Sequence, residues 1–162
     1  MKFEKVSYKE FKKHTDSAMH CGADEYDNIM MPQRQTKGSA GYDIASPVNI
    51  TIPGGCKRII PSGLKVRIDP EWCMELLIRS HMGINKDIEL ITGTSLIDSD
   101  YYNNDKNEGH IMIPLRNKST RPVFIAAGER IVQGLFTIYG ITEDDNAKGQ
   151  RSGGIGSTDE KR

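Results

Sequence analysis

Cysteine is scarce in this chain and follows no pattern. Cys21, Cys56 and Cys73 are odd in number and no two stand at CxxC spacing. That argues against a disulfide framework and against a cysteine zinc site. The four histidines form no HxxxH or HExxH pair, so no transition-metal site is visible. Long apolar runs are missing too: no stretch approaches the roughly 18 residues that a membrane-spanning helix needs. Met1-Lys2-Phe3-Glu4-Lys5 lacks the apolar core of a signal peptide, and a cytoplasmic product is expected. An excess of one charge is also absent. Lys plus Arg and Asp plus Glu both number 22 in 162 residues, a formal net charge of zero. Neither nucleic acid nor membrane is therefore expected as a partner. Any phosphate chemistry must rest on a few placed cations.

What is present suits one domain with a real core. Ser7-Tyr8-Lys9-Glu10 reads as a capping box, with Ser7 capping the helix and Glu10 reaching back to the Ser7 N–H. Tyr8, Phe11 and Lys12 continue at helical spacing, which predicts a helix over about 8–14, the only helical piece expected. Phe3 and Val6 before it suggest an edge strand. Beyond residue 28 short β-rich runs are broken by turn residues such as Pro53-Gly54-Gly55 and Pro61-Ser62-Gly63. Strands are expected over 48–52, 56–61, 64–68, 73–79, 87–91, 95–98, 110–116, 121–125 and 131–139. Evenly spaced short strands point to an all-β sandwich or barrel. From Thr142 onward the chain is polar, acidic and then Gly-rich: a dispensable tail or an arm that orders on a ligand.

Five segments carry groups suited to chemistry, and each alone also fits a structural role. Gly38-Ser39-Ala40-Gly41-Tyr42-Asp43 can be an ordinary turn capped by Asp43. Arg79-Ser80 follows the apolar run 73–78, where a guanidinium, a hydroxyl and backbone N–H groups can gather around a phosphate, or form a surface Arg with a Ser N-cap. Leu96-Ile97-Asp98-Ser99-Asp100-Tyr101-Tyr102 sets two carboxylates and two aromatics at a strand end. These can hold Mg²⁺, activate water, or form an Asx-turn. In Gly128-Glu129-Arg130-Ile131-Val132-Gln133, alternation puts Ile131, Gln133 and Leu135 on one face and Arg130 on the other, in a structural ion pair. A buried Gln133 needs hydrogen-bond partners. Gly149-Gln150-Arg151-Ser152-Gly153-Gly154-Ile155-Gly156-Ser157-Thr158 can present an anion nest or be a flexible tail, and it does not match a Walker A loop.

In this order the five segments resemble the five motifs of the trimeric all-β dUTPase family, over about Pro32 to Thr158. Pro32, Arg34 and Thr36 lead into the first. The insertion at 103–110 resembles a variant of Gram-positive bacteria and their phages. The resemblance implies an all-β jelly roll with a short N-terminal helix and a Gly-rich C-terminal arm. Residues 1–162 would form one domain, with 1–27 an N-terminal extension and 142–162 a mobile arm. It implies a homotrimer with shared active sites, dUTP as substrate and Mg²⁺ as cofactor. Asp98 would orient and activate water for in-line attack on the α-phosphorus. Arg79, Ser80, Gln133 and Arg151 would contact phosphate, assisted by Ser157 and Thr158. Tyr101 would pack on the deoxyribose and exclude a 2′-OH. Thr92, Ser95, Leu96 and Ile97 would frame the uracil slot, with Ile155 over the base. Mg²⁺ would be held through the triphosphate and water, with Asp43 the one candidate side-chain ligand.

The chain departs from the family pattern at several positions. Thr92 stands where Asn is usual, Ser95 where Gly is, His81 where a small residue is, and Ile155 where an aromatic stacks on uracil. Arg151 sits one residue closer to the Gly-Gly pair than in the commonest spacing. Two rival readings differ in class. A dCTP deaminase would need a Glu near Ile111-Met112-Ile113-Pro114-Leu115, where Pro114 stands and has no proton to give. A regulatory binder of phage type, with a protein partner and weak hydrolysis, has no need for Asp98, Arg79, Ser80, Gln133, Tyr101 and Arg151 together.

Overall fold

Alternation along the chain translates directly into antiparallel sheet. The computed structural model describes residues 1–15, 19, 22–149, 151, 153 and 154. Eleven strands are found among them: β1 (Lys2–Lys5), β2 (Tyr42–Ala45), β3 (Ile50–Ile52), β4 (Lys57–Pro61), β5 (Leu64–Arg67), β6 (Trp72–Ile78), β7 (Ile88–Leu90), β8 (Ser95–Ile97), β9 (Met112–Asn117), β10 (Val123–Ile125) and β11 (Arg130–Ile138). All nine runs expected after residue 28 are present, with ends shifted by at most two residues. Two short helices, α1 (Tyr8–Lys13) and α2 (Ala23–Asp27), lie before β2. The all-β class is thus as the sequence implied.

The pairings are β1 with β5, β3 with β10, a three-stranded β4-β9-β7 and a four-stranded β2-β11-β6-β8. The spine is the β6–β11 ladder, which runs from Val132↔Ile78 to Ile138↔Trp72 without a break. Val48, Ile50 and Ile52 point inward, while Asn49 and Thr51 are exposed, as a half-buried strand requires. Inward residues of nearly every strand join Phe11 of α1 in one hydrophobic cluster. Each fully buried Ile or Leu in it contributes about 1.5–3 kcal/mol.

Four local expectations need correction. β2 was not expected: four residues between Gly41 and Ser46 are too few to show a period, and it forms because β11 offers an edge. α2 adds a second helix, one turn long. The alternation of β11 fails at its start because a register shift between Arg130 and Val132 turns both Ile131 and Val132 inward. Only half of the capping box exists. Ser7 Oγ accepts from the Glu10 N–H at 3.1 Å, but the Ser7 N–H donates to Glu108 Oε2 at 2.9 Å. Glu10 instead turns inward, 2 % exposed, to Lys13 Nζ at 2.6 Å and His14 Nε2 at 2.9 Å.

Glu10 and His14 meet His110, so the fold brings together residues that look scattered in the sequence; their ligand atoms lie within 4.8 Å of one another. This arrangement is not a ready metal site, and His110 Nδ1 is buried there without a hydrogen-bond partner among the described residues. The Gly63 N–H donates to His110 Nε2 at 2.9 Å, which assigns the ring proton to Nδ1, the atom facing Glu10 Oε1 at 3.7 Å. A metal on Nδ1 would need the opposite nitrogen protonated and donating.

His110 is fully buried. Burial, then the neighbouring His14, pushes its pKa down to about 4, against the weaker opposing pull of Glu10. Unfolded histidine protonates near 6.5. Between these values the unfolded chain binds more protons, so stability is lost as pH falls from 6.5 toward 4, by about 3 kcal/mol. Denaturant midpoints measured from pH 7 to 4.5 should fall in the wild type. His110→Gln, whose amide oxygen can take the Gly63 N–H, should flatten that slope; an unchanged slope would remove His110 as its cause.

Candidate active site

Residues proposed for chemistry gather in two places on the four-stranded sheet. The first is a notch of about 220 Å³ at the end of β6. Asp43 on β2 lies opposite Gln133 on β11 in the strand register. Its side chain is 7 % exposed, and it takes Arg79 Nε at 2.9 Å on one oxygen and Arg130 Nη1 at 3.3 Å on the other. The ion pair expected of Arg130 is therefore found, and its partner is Asp43. Gln133 folds across Gly41: a Cβ on Gly41 would lie 2.6 Å from Gln133 Oε1, so a side chain there would push the Gln133 amide aside. Arg79 directly follows β6, and Ser80 opens the π-helical turn His81–Asn85 without using its hydroxyl as a cap. Asp43, Arg79, Ser80, His81 and Gln133 line the notch, joined by Gln35 and Ser39.

The second place is a cleft of about 540 Å³ beside β8, within the range of small-molecule sites. β8 is held by β6 through Met74↔Ile97 and Leu76↔Ser95. Ile97 is buried and Leu96 is 58 % exposed. Thr92 and Ser95 hydrogen-bond each other at 2.8 Å across the preceding turn, so the two departures from the family pattern are partners. Asp98 precedes the 3-10 turn Ser99–Tyr101; its carbonyl accepts from Tyr101 N at 3.1 Å, and its carboxylate makes no capping bond. Tyr101 belongs both to the core, at 8 % exposure, and to the cleft wall. Burial pushes its hydroxyl pKa up.

Arg151 spans the two carboxylates of the third segment, through Nη2 to Asp98 Oδ2 and through Nε to Asp100 Oδ1 at 2.7 Å. Gly154 packs on Tyr101 so closely that a Cβ would lie 2.8 Å from the hydroxyl. Pro114 lines the same cleft, where a deaminase would require an acid. Ile155, Ser157 and Thr158 lie outside the described residues.

Thr92, Ser95, Leu96, Ile97, Asp98, Tyr101 and Arg151 thus share one cleft, while Asp43, Arg79, Ser80 and Gln133 share a notch. No residue lines both. Two contributors were missed from sequence. Lys57 brings a cation to the cleft from β4. Asn107 donates to the Tyr101 hydroxyl at 2.7 Å. Nothing in the local pattern marks either one. Outside the Glu10, His14 and His110 group, the described residues bring no three His, Cys, Asp or Glu side chains within metal-binding reach. The carboxylates nearest the two sites are already taken by guanidinium groups. A hard cation such as Mg²⁺ would fit here only as part of a metal–nucleotide complex held through its phosphates, not in a protein cage.

Comparison with known proteins follows the same outline. The dUTPase family model matches residues 27–159. The deoxyuridine 5'-triphosphate nucleotidohydrolase of Lactococcus lactis subsp. lactis (strain IL1403) is 39 % identical over 132 residues, covering 80 % of this chain and 88 % of that one. The crystal structure of dUTPase from Streptococcus mutans superposes with a TM-score of 0.69 at 32 % identity, covering 87 % of this chain and 98 % of that one. The dUTPase of Staphylococcus aureus phage phi11, at 20 % identity and TM-score 0.64 over 78 % of this chain and 94 % of that one, shares the fold. With its motifs in order, its sheet matched and most of its length covered, the chain belongs to the dUTPase family.

Proposed function

We propose that the chain hydrolyses dUTP to dUMP and pyrophosphate, in sites completed between copies of itself. The observation that carries this reading is the convergence of Asp98, Tyr101 and the β8 edge on one cleft. The backbone and hydroxyls around Thr92, Ser95, Leu96 and Ile97 offer polar groups to a base edge, and a wrong base leaves them unpaired. The Tyr101 ring forms the wall for a deoxyribose. Asp98 is the general base: its carboxylate accepts a proton from water as the water attacks the α-phosphorus in line and pyrophosphate departs. Mg²⁺, when bound to the triphosphate, spreads its negative charge.

Phosphate contact falls to Arg79, Ser80, Gln133 and Arg151, with Ser157 and Thr158 of the arm as further ligands. Arg151 pairs with Asp98 and Asp100 in the free chain. A triphosphate offers its guanidinium stronger acceptors, and moving to them frees Asp98 to act as a base. Asp43 serves here as the fixed counter-charge that orients Arg79 rather than as a metal ligand.

The separation of cleft and notch supports a shared site, the homotrimer of the family. Exposed Ile84, Phe124, Ile138, Tyr139 and Ile141 supply apolar surface for contact between copies. No helix among the described residues is long and apolar enough to cross a membrane.

Pyrophosphate release with Mg²⁺ should be selective for dUTP over dCTP, dTTP and UTP. Asp98→Asn should lower kcat by about 10²–10⁴ with little change in KM. Absence of release by a folded wild type would sink the enzymatic reading in favour of a regulatory binder. Sharing of the site is tested separately. Asp98→Asn and Arg79→Ala chains, each inactive alone, should recover activity when unfolded and refolded together; a mixture as inactive as its parts would mean that each site is built from one copy.

A further inference from the structure

Residues 102–110 form a compact loop pressed against the backbone of Tyr101. Asn103 and Glu108 adopt φ of 56° and 58°, and Gly109 adopts 80°. A Cβ on Gly109 would lie 2.6 Å from the Tyr101 carbonyl oxygen, so only glycine permits this approach. Asn104, 7 % exposed, donates Nδ2 to the Tyr101 carbonyl at 2.8 Å and to Asn107 Oδ1 at 2.7 Å. The Gly109 N–H also donates to Asn107 Oδ1, at 3.1 Å. With two donors on its oxygen, the orientation of the Asn107 amide is determined, and Nδ2 faces the Tyr101 hydroxyl at 2.7 Å. That hydroxyl gives its one proton to the His110 carbonyl at 2.9 Å. The far end of the Tyr101 ring is therefore pinned by one donated and one accepted bond.

We infer that Asn107 is a positioning residue that sets discrimination against the ribose 2′-OH by pinning the Tyr101 ring. The inference rests on the reading of Tyr101 as the wall against the deoxyribose. A ring that can retreat makes room for one more oxygen. A pinned ring can retreat only by breaking hydrogen bonds in a buried place, where an unmade bond is costly. Selectivity then depends on what stands behind the ring as much as on the ring itself.

The loop is in turn held from outside. Glu108 takes the Ser7 N–H at 2.9 Å and the Ser7 hydroxyl at 2.5 Å, and Lys65 Nζ donates to Asn103 Oδ1 at 2.7 Å. The Tyr102 hydroxyl donates to Glu4 at 2.6 Å. Glu4 and Ser7 precede the stretch matched by the family model, so a segment outside that stretch braces the loop that holds Tyr101.

The test compares kcat/KM for dUTP and UTP in the wild type, Asn107→Ser, Tyr101→Phe and the double variant. Serine keeps an oxygen for the Gly109 N–H but removes the amide that reaches Tyr101. Each single variant should lower the dUTP-over-UTP preference, Asn107→Ser about tenfold, chiefly by improving UTP, and in Asn107→Ser kcat for dUTP should be little changed. The double variant should lose no more than Tyr101→Phe alone, because that change already removes the bond to Asn107. A merely structural role would lower turnover of dUTP and UTP together and leave their ratio fixed, which overturns the inference. So does a selective, folded Tyr101→Phe enzyme, which tests the pin even if Asn107→Ser fails to fold. A wild type that hydrolyses UTP as readily as dUTP overturns the reading of Tyr101, and the inference falls with it.

Discussion

A carboxylate buried at the start of a strand needs positive charge, and Asp43 meets two guanidinium groups. Arg79 comes from just beyond the end of β6 and Arg130 from the start of β11, so one side chain ties together three neighbouring strands. Removing either arginine would leave part of a desolvated charge uncompensated, which is costlier than losing a surface pair. The contact also fixes direction. With its Nε held by Asp43, the Arg79 guanidinium is oriented at the mouth of the notch beside Ser80 and Gln133. Much of the ordering that phosphate binding would require is thereby completed during folding.

The same economy governs the cleft. Tyr101 is a core residue whose ring forms part of the wall of a binding surface, and its hydroxyl is turned back into the protein. Asp98 has no capping duty in the turn that follows it, so its carboxylate is available, and in the free chain Arg151 takes it. On the proposed reading, a base neutralised by an arginine that also binds phosphate would be released when the phosphate arrives, and substrate binding and activation of the base would become one event.

Fold and family were largely legible. Short β-rich runs bounded by turn residues marked nine strands, and the order of the five segments marked the family. Misses came where a period had too few residues to register or where a partner lay far away. β2 is four residues long and depends on the edge of β11. Glu10 satisfied the local rule for a capping box yet turned inward, because Lys13, His14 and the pocket around His110 compete for it. The role of the insertion was illegible because Asn107 acts on a ring six positions away through a loop whose shape depends on left-handed residues.

By itself, the sequence determined what repeats locally: strand alternation, turn positions, the Ser7 cap, and the presence of an acid, an aromatic and arginines in a recognisable order. Tertiary structure alone decided which of these meet. Ser7 and Glu108 are 101 positions apart, and Asp43 and Arg130 are 87 apart. The division of the candidate residues between a cleft and a notch likewise comes from strand order in the sheet, not chain order. The physical reason is that periodicity and capping act over a few residues of backbone. Burial of charge depends instead on whichever distant groups the packed core brings within hydrogen-bond reach.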